Sequence, residues 1–132
     1  MKIKPYEQKY FLQLRNLRNS REVAENSNHY SVSGIDLMYD LENNDYRVAV
    51  ENGVLLGYVG VRGKDNEVSI AVNNKHYRRG IASKLLESVI KDYPFLTAEV
   101  LYDNEPSHEL FKKKGFERVK TVYEYGDGGR GE

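Results

Sequence analysis

From Glu67 to Phe116 the chain reads as a strand, a basic turn marked by glycine, a helix, a second strand and a second helix. Few folds accommodate that order. Glu67-Val68-Ser69-Ile70-Ala71-Val72 alternates with period two, so Val68, Ile70 and Val72 face one side of a sheet and Glu67, Ser69 and Ala71 the other. After Asn73 to Arg79, the residues Ile81, Leu85, Val89 and Ile90 recur at helical spacing, in a helix predicted to end before Pro94. Thr97 to Leu101 reads as the next strand. Asn104 is a predicted N-cap with Pro106 in the first turn, and Gly115 is a predicted C′ residue. Two strands joined through a helix imply one parallel pair.

The turn before the first of these helices has its own chemistry. A helix N-terminus leaves backbone N–H groups without intrahelical partners and carries partial positive charge, so anions are favoured there. Gly80 lets the backbone approach a phosphate closely, Ala82 is small, and Arg78 and Arg79 add charge. A pyrophosphate fits this arrangement. A solvated basic loop ahead of an ordinary amphipathic helix accounts for the same residues. The chain contains neither G-x-x-x-x-G-K-[ST] nor a G-x-G-x-x-G after a strand, so two other nucleotide motifs are set aside.

Upstream, Met1 to Lys4 reads as a short strand, and Tyr10, Phe11, Leu14 and Leu17 give one buried face to a helix over Glu7 to Arg18. Arg21 to Asn26 reads as a second short helix, Ser27 to Gly34 as a polar loop, and Ile35 to Leu41 as helical turns with Leu37, Met38 and Leu41 inward. Tyr46 to Val50 and Val54 to Val61 are strands joined by Asn52-Gly53, a tight hairpin signal. Phe116 to Tyr125 supplies at least one last strand.

A chain of 132 residues has room for one core. Twenty basic residues against twenty acidic ones leave no global field to recruit nucleic acid or an anionic membrane. There is no cysteine, no apolar run of membrane-spanning length, and no signal-peptide core after Met1-Lys2-Ile3-Lys4-Pro5. A soluble cytoplasmic protein is expected. His29, His76 and His108 lack metal-ligand spacing, so no metal is assigned.

Tyr77-Arg78-Arg79-Gly80-Ile81-Ala82 resembles the cofactor motif of the GNAT N-acetyltransferases, which runs Gln or Arg, two residues, Gly, one residue, Gly or Ala. Val100-x-x-x-Asn104-x-x-Ser107-x-x-Leu110-Phe111-x-x-x-Gly115-Phe116 is similar to the family's second motif, in the expected order and distance. Leu14 to Val23 resembles the opening of the branch that acetylates amino groups on nucleotide-linked sugars or on ribosomal proteins. The resemblance extends to about Tyr125. It implies an α/β (α+β) fold with a mixed, mostly antiparallel sheet, a splayed central parallel strand pair and helices on both faces. The single domain would cover 1–125, with 126–132 a disordered tail.

The resemblance also implies a site. Acetyl-CoA would lay its pantetheine arm between the splayed strands, pairing with Ser69 to Val72, so that Ala71 and Val72 contact it. The pyrophosphate would meet Tyr77, Arg78, Arg79, Gly80, Ile81, Ala82 and Ser83, with Asn104, Ser107 and Phe111 further along the cofactor and Lys114 as an extra phosphate contact. Two positions depart from the pattern. Tyr77 replaces Gln or Arg, and Phe111 stands where many members carry a tyrosine that protonates the leaving thiolate.

Amide formation from a thioester needs a neutral amine, hence a base. Similarity to members with a glutamate base on the cofactor-pairing strand makes Glu67 the first candidate and Glu99, on the neighbouring strand, the second. Tyr102 is the candidate to replace the acid missing at Phe111. Read without the resemblance, Glu67 is a strand-end surface carboxylate and Tyr102 is one of eleven tyrosines. The expected acceptor is a small primary amine. An amino-sugar nucleotide ranks ahead of a protein N-terminus or a polyamine because Leu14 to Val23 resembles the sugar-nucleotide branch and because Arg15, Arg18 and Arg21 offer charge to an anionic substrate. An acidic pocket for a polycation would draw on Asp36, Asp40, Glu42 and Asp45. A catalytically weak acyl-CoA-binding module is the alternative of a different class.

Overall fold

The structure, a computed structural model, describes residues 1–20, 34–76, 79–99, 104–119 and 122–126. Its strands are β1 (Lys2–Pro5), β2 (Asp45–Glu51), β3 (Val54–Arg62), β4 (Glu67–Val72), β5 (Leu96–Glu99), β6 (Glu117–Val119) and β7 (Val122–Tyr125). The helices are α1 (Phe11–Arg18), entered through a 3₁₀ turn at Gln8–Tyr10, then α2 (Gly34–Asn43), α3 (Ile81–Ile90) and α4 (Glu105–Lys113). Seven strands form one sheet in the order β1-β2-β3-β4-β5-β7-β6, antiparallel except where β4 meets β5. The predicted helix and loop over 21–33 lie outside the described residues.

Local chemistry sets most of the boundaries. Asn52 and Gly53 both have positive φ, at 52° and 78°, which is the hairpin geometry that an Asn-Gly pair adopts most readily. Asn104 accepts from Ser107 N at 3.4 Å and so caps α4. At the other end of α4, Gly115 has φ 94°, its N–H bonds Lys112 O, and Phe116 N donates to Phe111 O at 2.9 Å. This is a Schellman closure, and it brings the two phenylalanine rings edge to face with centroids 5.0 Å apart.

Strand alternation distributes the core to both faces of the sheet. On one face Val59, Val61, Val68 and Leu96 pack with Ile81, Leu85, Leu86 and Val89 of α3 and with Phe111 of α4. On the other, Val48, Val50, Leu55, Tyr58 and Ala71 pack with Leu14 and Leu17 of α1 and with Leu37 and Leu41 of α2. A β-bulge interrupts β3, since Val50 faces Leu55 while the preceding Ala49 faces Gly57. Leu56, the extra residue, therefore joins the α3 face while Leu55 stays on the α1 face.

One inward assignment is corrected. Met38 is 43% exposed, because Leu37 and Leu41 are one turn apart and define the buried face of α2, and Met38 lies about 100° round the helix from Leu37.

Candidate active site

The parallel strands part almost as soon as they meet. Among the described residues the register between β4 and β5 is the single pair Glu67↔Thr97, supported by Thr97 N donating to Asn66 O at 3.1 Å. Val68 to Val72 continue beside β3, whereas Leu96 to Glu99 are held on their far side by β7. Past Glu67 and Thr97 no further pairing joins β4 to β5 among the described residues, and α3 begins beyond the C-terminal end of β4.

At that end Gly80 is the N-cap of α3, with φ 73° and ψ 17°, and among the described residues no side chain caps the helix. The first intrahelical bond runs from Lys84 N to Gly80 O at 3.1 Å, leaving the amides of Ile81, Ala82 and Ser83 without helical acceptors. Among the described residues a Cβ built on Gly80 would meet nothing within 4 Å. Glycine is needed here for its left-handed conformation, and the space in front of the helix end is open.

Of the two arginines of the turn, Arg79 is the one that the structure describes, and it is bonded within the protein. Arg79 Nη2 bonds both carboxylate oxygens of Glu51 at 3.1 Å, and its Nη1 lies 3.2 Å from His76 Nδ1. These contacts tie the turn to the end of β2 and hold the Glu51 carboxyl below its ordinary pKa. Tyr77 and Arg78 lie outside the described residues, as does Tyr102. Lys114 is paired with Glu87 of α3.

Along the gap, Ala71 faces α1 and is buried, Val72 packs against the opposite cluster, and Ser107 is half-buried in the first turn of α4. Phe111, which the resemblance sets along the cofactor, packs into the core of the described structure. Its side chain is 3% exposed and belongs to the apolar core, because the Schellman closure needs an apolar partner for Phe116.

On the α1 and α2 side a cleft of about 900 Å³ opens at the N-terminal end of β4. Glu67 and Glu99 both line it, together with Arg18, Asp36, Asp40 and Arg62. Glu67 arrives there because it shares a face with Ser69 and Ala71, as the alternation predicts, and it stands opposite Arg62 across the β3–β4 ladder. Asp40 is the fixed point of the wall. It accepts from Tyr46 Oη at 2.7 Å, Asn44 Nδ2 at 2.8 Å and Arg62 Nε at 3.2 Å. Burial, with the charge of Asp40 next in size, pushes the Tyr46 phenol well above its ordinary pKa, so it stays a donor. Its ring lies over Gly60, where a Cβ would come within 2.4 Å of a ring carbon. Sequence reading missed this network, since Asp40 and Arg62 are 22 residues apart with no motif between them.

Of the arginines expected to hold an anionic substrate, Arg18 lines the cleft, Arg15 does not, and Arg21 is outside the described residues. Of the expected acidic cluster, Asp36 and Asp40 reach the cleft, Glu42 is exposed away from it, and Asp45 is bound to Arg47 and Tyr93. Among the described residues no group of three or more His, Asp or Glu could hold a metal ion, and no helix is long and apolar enough to cross a membrane.

Comparison with known proteins agrees with this geometry. The profile of the Acetyltransferase (GNAT) family matches residues 11–116. The peptidyl-lysine N-acetyltransferase YiaC of Escherichia coli (strain K12) is 31% identical over 74 residues, covering 56% of this chain and 51% of that protein, so the chain matches about half the length of this curated relative. YncA of Salmonella typhimurium, a putative acetyltransferase solved with acetyl-CoA, superposes with a TM-score of 0.81 at 20% identity, covering 100% of this chain and 96% of that one. The ribosomal-protein-alanine N-acetyltransferase of Brucella melitensis gives 0.77 at 19% identity, over 94% and 97% of the two chains.

Proposed function

The chain belongs to the GNAT acetyltransferase family, and from that premise we propose that it transfers an acetyl group from acetyl-CoA to a primary amine by direct attack. One observation carries the reading: the β4–β5 gap lies between an uncapped helix N-terminus and a cleft whose lining includes Glu67 and Glu99. The residues present suit acetyl-CoA. The open space before Gly80 and the three amides behind it accept a pyrophosphate, and the β4 edge that faces the gap suits an extended chain of amides. Ile81, Ala82 and Ser83 would hold the phosphates through backbone rather than side chains, while Ala71, Val72, Asn104 and Ser107 would flank the arm.

Bound there, acetyl-CoA supplies an acyl group activated as a thioester with a thiolate leaving group. Glu67 is assigned as the base that takes the ammonium proton of the acceptor, with Glu99 second, since both line the cleft through which an amine would reach the gap. Arg62, facing Glu67 across the ladder and tied to Asp40, is a cation beside that proton transfer. Tyr102 remains the candidate acid.

The acceptor is read as a primary amine. An amino-sugar nucleotide would find Arg18 and Arg62 in the cleft, but five carboxylates against three cations line it among the described residues. That balance favours a cationic acceptor, including a protein N-terminus, over a diphosphate. Phe111, which has no proton to give a leaving thiolate, favours a second reading, an acyl-CoA-binding module without turnover. Thiol release by the purified protein from acetyl-CoA across a panel of amines tests both. Release that depends on amine supports the enzyme, and acetyl-CoA binding with no release from any amine supports the module.

A further inference from the structure

We propose that the outer face of α2 is a docking surface for a basic polypeptide, which lies across it while presenting its amine to the cleft. This rests on the acetyltransferase reading. Leu37 and Leu41 bury the inner face of α2, yet Ile35 is 81% exposed and Tyr39 70%, with Met38 beside them. Positions i, i+3 and i+4 are neighbours on a helix surface, so the three side chains form one apolar stripe. A helix that leaves two large hydrophobics mostly in water, on the face opposite its core contacts, has a surface suited to a partner.

Two observations say what that partner is. The first is continuity, because Tyr39 belongs to the stripe and also lines the cleft with Asp36 and Asp40, so the apolar surface runs directly into the wall of the cleft. A ligand that touches Ile35 and still reaches Glu67 must be extended, which a single amino sugar is not, and must carry apolar side chains for the stripe, which a polyamine lacks. The second is charge. Among the described residues Asp36, Asp40, Asp65, Glu67 and Glu99 line the cleft against Arg18, Arg62 and Lys64, a lining that attracts a cationic chain and repels an acidic one. Apolar anchors beside a carboxylate-lined cleft match a segment that carries both hydrophobic and lysine or arginine side chains. The stripe would hold the segment and the cleft would orient its amine.

The test uses the full chain and a short lysine-rich peptide carrying leucine and phenylalanine, with a free N-terminus and a fluorescent label at its C-terminus. Anisotropy reads binding without any turnover. Ile35→Ser/Met38→Ser, which alters no cleft-lining residue, should weaken peptide binding about tenfold, a loss of roughly 1.4 kcal/mol, with thermal unfolding unchanged. Raising the salt should weaken binding to the wild type. An acidic peptide of the same length should not bind. In the thiol-release assay the same variant should raise KM for the peptide and leave a minimal amine untouched. Peptide binding equal in the variant and the wild type overturns the docking surface, as does a wild-type dimer in sedimentation that the variant converts to monomer, because a second copy would then cover the stripe. Binding that behaves as expected without release from any amine overturns the acetyltransferase reading and leaves the surface standing.

Discussion

Glu67 stands opposite Thr97 at the one described register between β4 and β5, and the same glutamate lines the cleft on the α2 side. The point where the parallel strands part is thus also the point where a carboxylate enters the cleft. A ligand occupying the gap from the α3 end and an acceptor entering from the α2 side would meet near this residue, and the first expectation concerns it.

Glu67→Gln should lower turnover by roughly 10²-fold, the usual scale for loss of a general base, with little change in acetyl-CoA affinity. Steady-state rates and calorimetric titration separate the two effects. A rate that stays at the wild-type level over about pH 6 to 9 would remove Glu67 from the chemistry and move the role to Glu99.

Gly80→Asp should weaken acetyl-CoA binding by tenfold or more, since it sets a carboxylate against the uncapped amides of α3. Gly80→Ala is the control. It shares the positive φ of 73°, at a cost of roughly 1–2 kcal/mol of stability, but adds no charge and meets open space. Equal affinities for the two variants would mean that strain, not the anion, explains the loss.

Phe111→Ala should cost about 3–5 kcal/mol in urea denaturation, as a buried aromatic removed from a packed core does. Phe111→Tyr should keep activity while losing roughly 1–3 kcal/mol, because its hydroxyl enters an apolar cluster. If Phe111→Ala weakens acetyl-CoA binding at full stability, the side chain belongs to the gap and not to the core.

Stability should depend on pH through Asp45, on the α3 face of β2. Its carboxylate accepts from Arg47 Nη2 at 2.9 Å and from Tyr93 Oη at 2.6 Å, and the hydrogen bond from Arg47, then that from Tyr93, holds its pKa below the usual range. A depressed folded pKa contributes stability in full above the unfolded value, about pH 4, and that contribution is lost as the pH falls through the folded one. Tyr93 runs the other way. Burial and the bond to Asp45 push its phenol up to about 12. Its contribution is complete below the ordinary tyrosine value of about pH 10 and disappears as the pH rises toward the folded one. Asp45→Asn should therefore flatten the melting temperature profile at both ends, and an unchanged acid limb would show that the pair does not matter to folding.

Much of the fold was legible because its signals close within a few residues. Asn52-Gly53, Gly80, Asn104 and Gly115 each set a turn or a helix end through their own φ or a bond to a residue at most three positions away. The alternation in Glu67 to Val72 needed only the period of a strand to put Glu67 and Ser69 on one face. Tertiary structure alone decided the rest. Arg79 turns to Glu51, 28 residues earlier, and Arg62 to Asp40, 22 residues earlier, because the sheet order brings those elements together. Met38 faces outward because Leu37 and Leu41 share the buried side of α2. Phe111 faces inward because Phe116 packs against it and the core of α3 closes over both. Composition and spacing state which groups a chain carries. Which of them meet depends on long-range packing, and no local signal records it.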